Sequence, residues 1–481
     1  MTSAHNHKLS RREFLRGIGI AASATLLSQC RPREHTLPFQ LETTIASPAA
    51  SATPVGDLVT APLGRGKGIH PGRVTWVHNP DATRWDGRKG QWWESGNLVQ
   101  NVVSEMLSHA LQTQTGESQA AAAWEALFRH FNAEHSPEAH GYRTGEKIAI
   151  KVNLNTVTTP AYHENGSFTS PQIILALLQQ LVNYAGVDPS NITVYDATRV
   201  VPDCIVETCR IAQLAGVHFV DWSGGNGREA YRRDPQCRVH WSQNLGGNAT
   251  YLPTCVTEAT YLINLASLKG HNLAGVTLCG KNHLGTICAD LEDKPTQQAP
   301  QGANIHGTIA AHDYGWGDPA WTWVQRPMGT YNALVDLMAH PHLGGKTLLY
   351  MLDGFYVSQD QSSPVTGDCR WQSSPFSDEW TASLFLSQDG VAIDSVGLDF
   401  LRAEPTIAAR DDVLPVHTTC ENYLREASSV GAPPSGTRYA RAGEGQAPES
   451  LGVHEHWSDS SNRLYSRNLG LDEGIELLAI S

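Results

Sequence analysis

Apolar and polar residues follow one another along the chain in a pattern that predicts helices and strands in turn. Helical spacing of apolar residues marks 97–111 and 119–130, and residues 147–154 then alternate as a strand does. Further strands are predicted at 192–195, 218–220, 261–265, 346–352 and 383–386, and helices at 171–184, at 206–214 and from about residue 391. Such alternation is typical of parallel sheets. It predicts an α/β fold with a largely parallel sheet flanked by helices.

Composition divides the chain into four segments. Residues 1–30 resemble a signal, and 31–66, rich in Pro, Ser, Thr and Ala, are predicted to be a linker. Residues 67–403 then form the α/β core. Residues 404–481 carry too few apolar side chains for a core of their own, so we expect an irregular C-terminal cap packed on the α/β core.

The first 30 residues have the order of features found in an export signal. Arg11-Arg12 precede a mildly apolar run at 17–27, which is typical of a twin-arginine signal and is too short to span a membrane. Cys30 follows in a segment that resembles a lipoprotein cleavage box, with Gln29 where a small residue is usual. We expect export by the twin-arginine translocase to the periplasm or cell envelope. Contact with the membrane is expected only through this N-terminal tether, with Cys30 as the candidate lipid anchor.

Charge and cysteine spacing exclude several classes of partner and cofactor. With 35 Lys and Arg against 48 Asp and Glu, the formal net charge is −13, and no basic patch stands out, so we expect no nucleic acid partner. The nine cysteines include no CxxC pair, which argues against an iron–sulfur cluster. In an oxidising compartment, disulfides are the ordinary expectation for such cysteines.

The densest group of chemically capable residues is the glycine-rich segment 269–285. Two lysines and two histidines lie there among four glycines. Backbone near glycine can approach an anion closely, and the lysines would add positive charge. A plain structural turn with surface lysines is the alternative, although the apolar residues between the polar ones argue against it. The candidate binding residues are Lys269, Gly275, Gly280, Lys281 and Asn282, with His271 as a candidate catalytic residue.

A second candidate group follows the predicted strand 192–195. Asp196 and Arg199 lie three residues apart, and an arginine held by a neighbouring aspartate can clamp a carboxylate or phosphate. Alternatively, the two residues form an ion pair that only braces the loop.

Histidines provide candidate metal ligands. His454 and His456 lie on one side of an extended segment, where they could bind a metal together with a distant acid such as Asp394. Histidines of this kind are also commonly satisfied by hydrogen bonds. The further candidate ligands are His283, His306 and His312. No GxSxG, P-loop or HExxH motif occurs.

Several short motifs follow one another along the chain in a specific order. They are Ile150-Lys151-x-Asn153, Leu262-Ile263-Asn264, Lys269-x-His271, Gly275-Val276-Thr277, Lys281-Asn282-x-x-Gly285, Asp353-Gly354, and Ser387-x-Asp389 with Asp394. Together they resemble the domain of unknown function 362 family over roughly residues 140–405. Members often carry twin-arginine signals, and some carry ferredoxin-type cysteine motifs that this chain lacks.

Two segments are also similar to motifs of nickel-pincer lactate racemases: His271-x-x-Ala274-Gly275 followed by Gly280-Lys281, and Asp196-x-Thr198-Arg199. This resemblance implies that Lys281 holds a nickel-pincer nucleotide and that His271 is an acid/base residue. It also implies that Arg199 binds a phosphate or carboxylate. Val200 stands where the second motif has proline. The candidates for the remaining histidines of that family are His240, His283, His306 and His312.

These observations favour an exported enzyme that applies acid/base chemistry to a small anionic substrate, such as a hydroxy acid or sugar acid, in the manner of a racemase or epimerase. Its candidate catalytic residues are Asp196, Arg199, His271 and Lys281. A non-catalytic protein that binds an anionic ligand, and a metal- or redox-centred enzyme, are the alternatives. The cofactor is left open, with a metal ion as one candidate.

Overall fold

A computed structural model describes residues 61–155, 157–246, 249–289, 305–315, 322–408, 418–439, 448–458 and 461–481. The predicted signal with Cys30, and the linker as far as residue 60, lie outside the described residues. The described ones all belong to one compact unit, Val55–Ser481. Among them, every helix is too short or too polar to cross a membrane.

Helices and strands interleave along this unit. The strands are β1 (Leu63–Gly64), β2 (Arg73–His78), β3 (Ile148–Val152), β4 (Ile192–Asp196), β5 (His218–Asp221), β6 (Glu229–Ala230), β7 (Arg233–Arg238), β8 (Thr250–Pro253), β9 (Tyr261–Ser267), β10 (Lys269–His271), β11 (Gly275–Thr277), β12 (Cys288–Ala289), β13 (Tyr314–Gly315), β14 (Thr322–Trp323), β15 (Thr347–Gly354), β16 (Ser383–Ser387), β17 (Val453–His454) and β18 (Glu476–Ile480). The α-helices are α1 (Gln100–Thr115), α2 (Ala120–His135), α3 (Pro171–Asn183), α4 (Asp203–Thr208), α5 (Thr254–Thr257), α6 (Cys279–Asn282), α7 (Ile305–Ile309), α8 (Ala333–Ala339), α9 (Gly390–Ala403), α10 (Pro405–Ala408) and α11 (Asn422–Ser428).

Nine strands form the central sheet, in the order β18-β2-β16-β15-β9-β3-β4-β5-β6. The strands from β15 to β6 in this order are parallel, whereas β16 is antiparallel to both of its neighbours, β15 and β2. Strand β18 is parallel to β2. The predicted α/β fold with a largely parallel sheet is therefore confirmed.

An apolar core covers each face of the sheet. Helices α1, α2 and α3 pack on one face, and α8, α9 and α11 on the other. Side chains of β3 alternate between the two faces, so that Ile148 and Ile150 join the first core and Ala149 joins the second. By the same alternation, Lys151 lies on the second face, the face on which α6 packs.

Three strands of the central sheet, β2, β6 and β18, were not predicted from the sequence. Strands β2 and β18 lie 403 residues apart at Arg73 and Glu476, whose side chains hydrogen-bond at 2.8 Å. The C-terminal residues, expected to form an irregular cap, extend the central sheet through β18. The predicted helix at 206–214 is shorter than expected, because it ends at Thr208 and a separate 3₁₀ turn covers Ala212–Leu214.

The cysteines also differ from expectation. Within the described part of the chain, seven are free thiols, and the expected disulfides do not form among them: Cys204, Cys209, Cys237, Cys255, Cys279, Cys369 and Cys420. Four of these are buried, so they behave as small apolar side chains of the core.

Candidate active site

A buried ion pair lies at the carboxyl ends of β3 and β4, where ligands bind in open α/β sheets. Lys151 Nζ donates to Asp196 Oδ2 at 3.0 Å, to the Val152 carbonyl at 2.6 Å and to Asn282 Oδ1 at 3.3 Å. The other Asp196 oxygen accepts from the amide and hydroxyl of Thr198, both at 2.9 Å. The positive partner of Asp196 is thus Lys151, which the sequence analysis did not select, because the two side chains lie at the ends of neighbouring strands.

Arg199 is fixed by backbone oxygens of two loops. Its Nε donates to the Asn155 carbonyl at 2.6 Å and one of its terminal nitrogens donates to the Thr198 carbonyl at 2.8 Å. Carbonyl oxygens carry no net charge, so these hydrogen bonds orient the guanidinium without neutralising its positive charge. That charge lowers the pKa of Lys281 and of His306, so Arg199 lies in the same electrostatic environment as both.

The antiparallel β10–β11 hairpin carries Lys269 and His271. Gly275 begins β11 with a φ of +83°, a conformation that favours glycine. Lys269 Nζ is fully buried and donates to the Ser167 carbonyl at 2.6 Å. Burial lowers the pKa of Lys269 to about 7, with repulsion from Lys281 in addition. This lysine can therefore lose its proton near neutral pH.

The hydrogen bonds of His271 fix its tautomer. Its Nδ1 accepts from the backbone amides of Leu273 at 3.1 Å and Ala274 at 3.2 Å, so the proton of the neutral ring is on Nε2. Burial, Lys281 and His306 hold the pKa of His271 well below its usual value. The ring is therefore neutral and presents an N–H donor, and no described residue accepts from that Nε2.

Helix α6 presents Lys281 and depends on Asp394 of α9. The two oxygens of Asp394 accept from the amides of Cys279 and Gly280, each at 2.8 Å, and Tyr423 donates to the same carboxylate at 3.0 Å. A Cβ on Gly280 would lie 2.9 Å from Tyr423. Burial raises the pKa of Asp394 to about 7. Asp394, a candidate metal ligand by sequence, is thus used as the cap of the helix that carries Lys281.

Lys281 differs from the other cations of the site in having no partner. Among the described residues, none accepts a hydrogen bond from its Nζ and none forms an ion pair with it. Burial lowers its pKa to about 7, with repulsion from Arg199 and Lys151 in addition. His306 in α7 lies near enough for Lys281 to contribute, after burial, to lowering the pKa of His306 to about 4. The structure therefore brings together Lys281, His271, Lys269, Arg199 and His306, five of the residues selected from sequence.

This arrangement lies within a segment that a protein family model matches. The model, described as a domain of unknown function (DUF362), covers residues 148–399, a little over half of the chain. The chain belongs to the DUF362 family. No curated protein matches the sequence. The DUF362 segment runs from β3 into α9, so it contains the Lys281 site together with its Asp394 cap.

Asn282 and His283 were also selected from the sequence, and their buried hydrogen bonds support the Lys281 site. Asn282 donates to Asn264 Oδ1 at 2.8 Å and accepts from Lys151. His283 is fully buried and its Nε2 accepts from Asn264 Nδ2 at 3.2 Å. Burial lowers the pKa of His283 to about 3. These contacts make His283 part of the buried support of α6.

The other candidate histidines lie elsewhere. His312 is partly exposed in the turn after α7. His240 is exposed near His340, whose pKa it helps to lower. His454 and His456 lie in the C-terminal segment, beyond the DUF362 match.

His456 is part of a dense ionic network, and His454 lies beside it with the two ring centroids 5.0 Å apart. His456 Nδ1 hydrogen-bonds to Asp399, and its Nε2 lies 3.0 Å from Glu421. Although burial opposes it, these two carboxylates raise the pKa of His456 to about 9. Arg402 donates to the same Glu421 oxygen at 2.6 Å and lies 3.2 Å from His456 Nε2. We refer to Asp399, Arg402, Glu421 and His456 as the C-terminal ion network.

Glu421 is the acid that the structure groups with both histidines as a possible ligand set, in place of the Asp394 suggested by sequence. Ligand atoms of Glu421, His454 and His456 lie within 4.8 Å of one another, a spacing that suits a metal. Arg402, however, already provides a positive charge there. A metal would also have to displace the proton of His456 that the carboxylates stabilise. The geometry therefore favours a structural ion network over a metal centre.

Proposed function

We propose that the protein is an enzyme that transfers a proton on a small anionic substrate, such as a hydroxy acid or sugar acid, at Lys281. The observation that carries this proposal is the unpaired amine of Lys281 beside Arg199 and Lys269. The protein as a whole is acidic, with a formal net charge of −13, yet cations gather here and the acid Asp196 is already paired with Lys151. A bound anion would supply the missing negative charge.

Lys281 is suited to carry the proton. With its pKa lowered to about 7, both the amine and the ammonium are populated near neutral pH. A group whose pKa lies near the working pH can accept a proton from the substrate and return it. No other described lysine of the site has its amine free of a hydrogen bond, since Lys151 and Lys269 donate to carbonyl oxygens.

His271 is suited to stabilise charge rather than to act as a base. Its Nδ1 lone pair accepts hydrogen bonds from two backbone amides, so only the Nε2–H can interact with a substrate, and it does so as a donor. A neutral imidazole can donate that hydrogen bond to an oxygen on which negative charge develops. In this role His271 acts as an electrophile, whereas the resemblance to lactate racemases implied an acid/base residue.

An isomerase needs a second group that can exchange protons on the opposite side of the reacting carbon. His306 is the candidate, because burial, Lys281 and Arg199 lower its pKa to about 4 and keep it neutral at pH 7. Arg199 and Lys269 then hold the anionic part of the substrate by their charge. This division of roles supports a racemase- or epimerase-like reaction.

The experiment is deuterium exchange in D₂O with a panel of 2-hydroxy acids and sugar acids, followed by mass spectrometry and chiral analysis. Removing a general base typically lowers a rate by about 10²- to 10⁴-fold, and we expect that loss for Lys281→Met. The matched control is Lys147→Met, because Lys147 is an exposed lysine paired with Glu258 at 2.8 Å. The control should keep the full exchange rate.

Each result distinguishes the proposed enzyme from the alternatives. Saturable ligand binding without exchange would establish a non-catalytic binding protein. Absence of both binding and exchange, across the panel, would overturn the anion site itself. Equal rates in wild type and Lys281→Met would move the chemistry away from this lysine.

Lys281 is also the residue that would hold a cofactor. Its amine has no described partner and is partly deprotonated at neutral pH, which suits covalent attachment. Elemental analysis and intact mass of protein purified from an exporting host test this separately. Nickel together with a mass adduct on Lys281 would support the resemblance to pincer racemases, and an unmodified Lys281 would leave proton transfer by the amine.

A further inference from the structure

A small cavity opens on one side of Lys281. It has a volume of about 10 Å³, enough for a single water molecule or one oxygen of an anion. Its described lining comes from the β10–β11 hairpin, from α7 and α8, and from the segments around Arg326 and Thr419. The sequence analysis did not select either of these two residues.

Arg326 is held at the cavity by its backbone alone. Its amide donates to the Ala310 carbonyl at 2.7 Å. In the described part of the chain, its guanidinium makes no hydrogen bond or ion pair, and its Nε is buried without a partner. Arg326 and Lys281 are thus two unpaired cations that line one cavity.

Thr419 adds an unsatisfied hydroxyl to the same lining. Its Oγ1 is buried and has no hydrogen-bond partner among the residues that the structure describes. Buried polar groups in folded proteins are nearly always hydrogen-bonded, so an unsatisfied donor beside two unpaired cations indicates a missing acceptor. An anionic oxygen would satisfy all three groups.

The rest of the described lining favours an anion as well. It contains no acidic side chain, and Ala274, Val276, Ile309 and Leu334 make part of it apolar. In such surroundings charges interact more strongly than in water. The polar residue Thr308 is already satisfied, since its hydroxyl donates to the Ile305 carbonyl at 2.8 Å.

We infer that the cavity between Lys281, Arg326 and Thr419 binds a second anionic group, so that the ligand of this site is a dianion. The inference rests on the proposed function, in which Lys281 and His271 receive the reacting acid. Lys281 lines the cavity and also lowers the pKa of His271, so both anionic groups would lie close to its ammonium. The second group is an oxyanion, either a carboxylate or a phosphate, of which one oxygen enters the cavity.

The experiment compares ligands that differ by one anionic group in calorimetric titrations. Lactate is compared with malate for a second carboxylate, and glycerate with 3-phosphoglycerate for a phosphate. One charge-assisted hydrogen bond changes affinity by about ten- to a hundredfold, so we expect the dianions to bind at least about tenfold more tightly than the monoanions. Whichever pair shows the larger difference identifies the oxyanion.

Arg326→Met should remove the preference for the dianion and leave monoanion affinity within about twofold. Since the guanidinium has no described partner to lose, we expect the thermal midpoint to stay unchanged. Thr419→Val is a second, nearly isosteric variant that should reduce the same preference by a smaller factor. Arg84→Met is the control, because Arg84 is exposed and does not line the cavity.

Failure of this inference is distinguishable from failure of the proposed function. An unchanged dianion preference in Arg326→Met, or an equal loss for both ligands of a pair, would overturn the second subsite. Monoanion binding and deuterium exchange would then still support the Lys281 reaction. If wild-type protein bound neither kind of ligand, both the subsite and the proposed function would be overturned.

Discussion

The Lys281 site and the C-terminal ion network both gather charges inside the protein, but they balance them differently. In the network, Glu421 lies between Arg402 and His456, and Asp399 holds the other side of His456. At the site, Lys281 has no described partner and its neighbours Arg199 and Lys151 carry the same charge. The charges of the network are therefore balanced within the folded chain, whereas in our proposal those of the site are balanced when an anion binds.

Under the proposed function, this difference separates buried charges that stabilise the fold from buried charges that bind a ligand. Buried ions are costly unless they are paired, so a paired network stabilises its geometry while an unpaired cation costs stability. The shifts in pKa follow the same division. The pKa of His456 rises to about 9 because Asp399 and Glu421 outweigh its burial, whereas that of Lys281 falls to about 7 through burial and the neighbouring cations.

The largest effect on stability should come from breaking the network. Glu421→Gln leaves Arg402 and His456 buried without their shared carboxylate, and we expect a loss of about 3–5 kcal/mol in the free energy of unfolding. Lys281→Met removes an unpaired charge and should cause no loss. Chemical denaturation of both variants measures this contrast, and similar small losses in both would show that the network does not stabilise the fold.

The two regions should also respond to pH with opposite signs. The folded pKa of His456, about 9, lies above its ordinary value of 6.5, so its stabilisation is present below pH 6.5 and lost as pH rises to 9. The folded pKa of Lys281, about 7, lies below its ordinary value of 10.5, so its penalty is relieved as pH rises from 7 to 10.5.

Unfolding free energies measured between pH 6 and 10 test this. Each proton contributes at most about 1.4 kcal/mol per pH unit. We expect His456→Gln to make stability rise more steeply with pH than in wild type, and Lys281→Met to make it rise less steeply. Parallel curves for all three proteins would refute the assigned shifts.

Replacing Asp394 should cause a smaller loss of stability than breaking the C-terminal ion network. Asp394→Asn places an amide where the carboxylate accepts from Cys279 and Gly280, so we expect a loss of about 1–2 kcal/mol. Because α6 carries Lys281, deuterium exchange should fall as well, with the midpoint of unfolding measured in parallel. Full exchange in a folded Asp394→Asn variant would show that the cap does not position Lys281.

The smallest effect should come from the exposed ion pair Lys147–Glu258. Its two side chains are 51% and 55% exposed, and exposed pairs contribute about 0–1 kcal/mol. Lys147→Met should therefore change the unfolding free energy by less than about 1 kcal/mol, measured by the same denaturation. A larger loss would mean that removing a charge is destabilising in itself. The loss measured for Lys147→Met would then have to be subtracted from that measured for Glu421→Gln.

Much of the fold could be predicted from sequence, because the strands of a parallel sheet are buried on both faces and read as apolar runs. Strands β3, β4, β9 and β15 are of this kind. Strand β18 could not be identified in this way, since it lies at an edge and four of its five residues are only partly buried or exposed.

The site could be predicted in part. Lys281, His271 and Lys269 lie close together in the chain, and the glycine-rich segment around them identified them as candidate site residues. Arg326 and Thr419 were missed because each is an ordinary polar residue until the fold places it at the cavity. The ion pairs could not be predicted from the sequence either, because the partner of Asp196 comes from a neighbouring strand and that of His456 from a distant helix.

The pairing of β2 with β18 has a consequence for the order in which the chain can fold. Arg73 leaves the ribosome 403 residues before Glu476, and β16 is also complete before β18 is made, so β2 can pair with β16 before the outer edge of the sheet is covered. Until then, β2 exposes unpaired backbone groups of the kind that invite aggregation. A chaperone that shields this edge during synthesis would protect the nascent protein until β18 arrives.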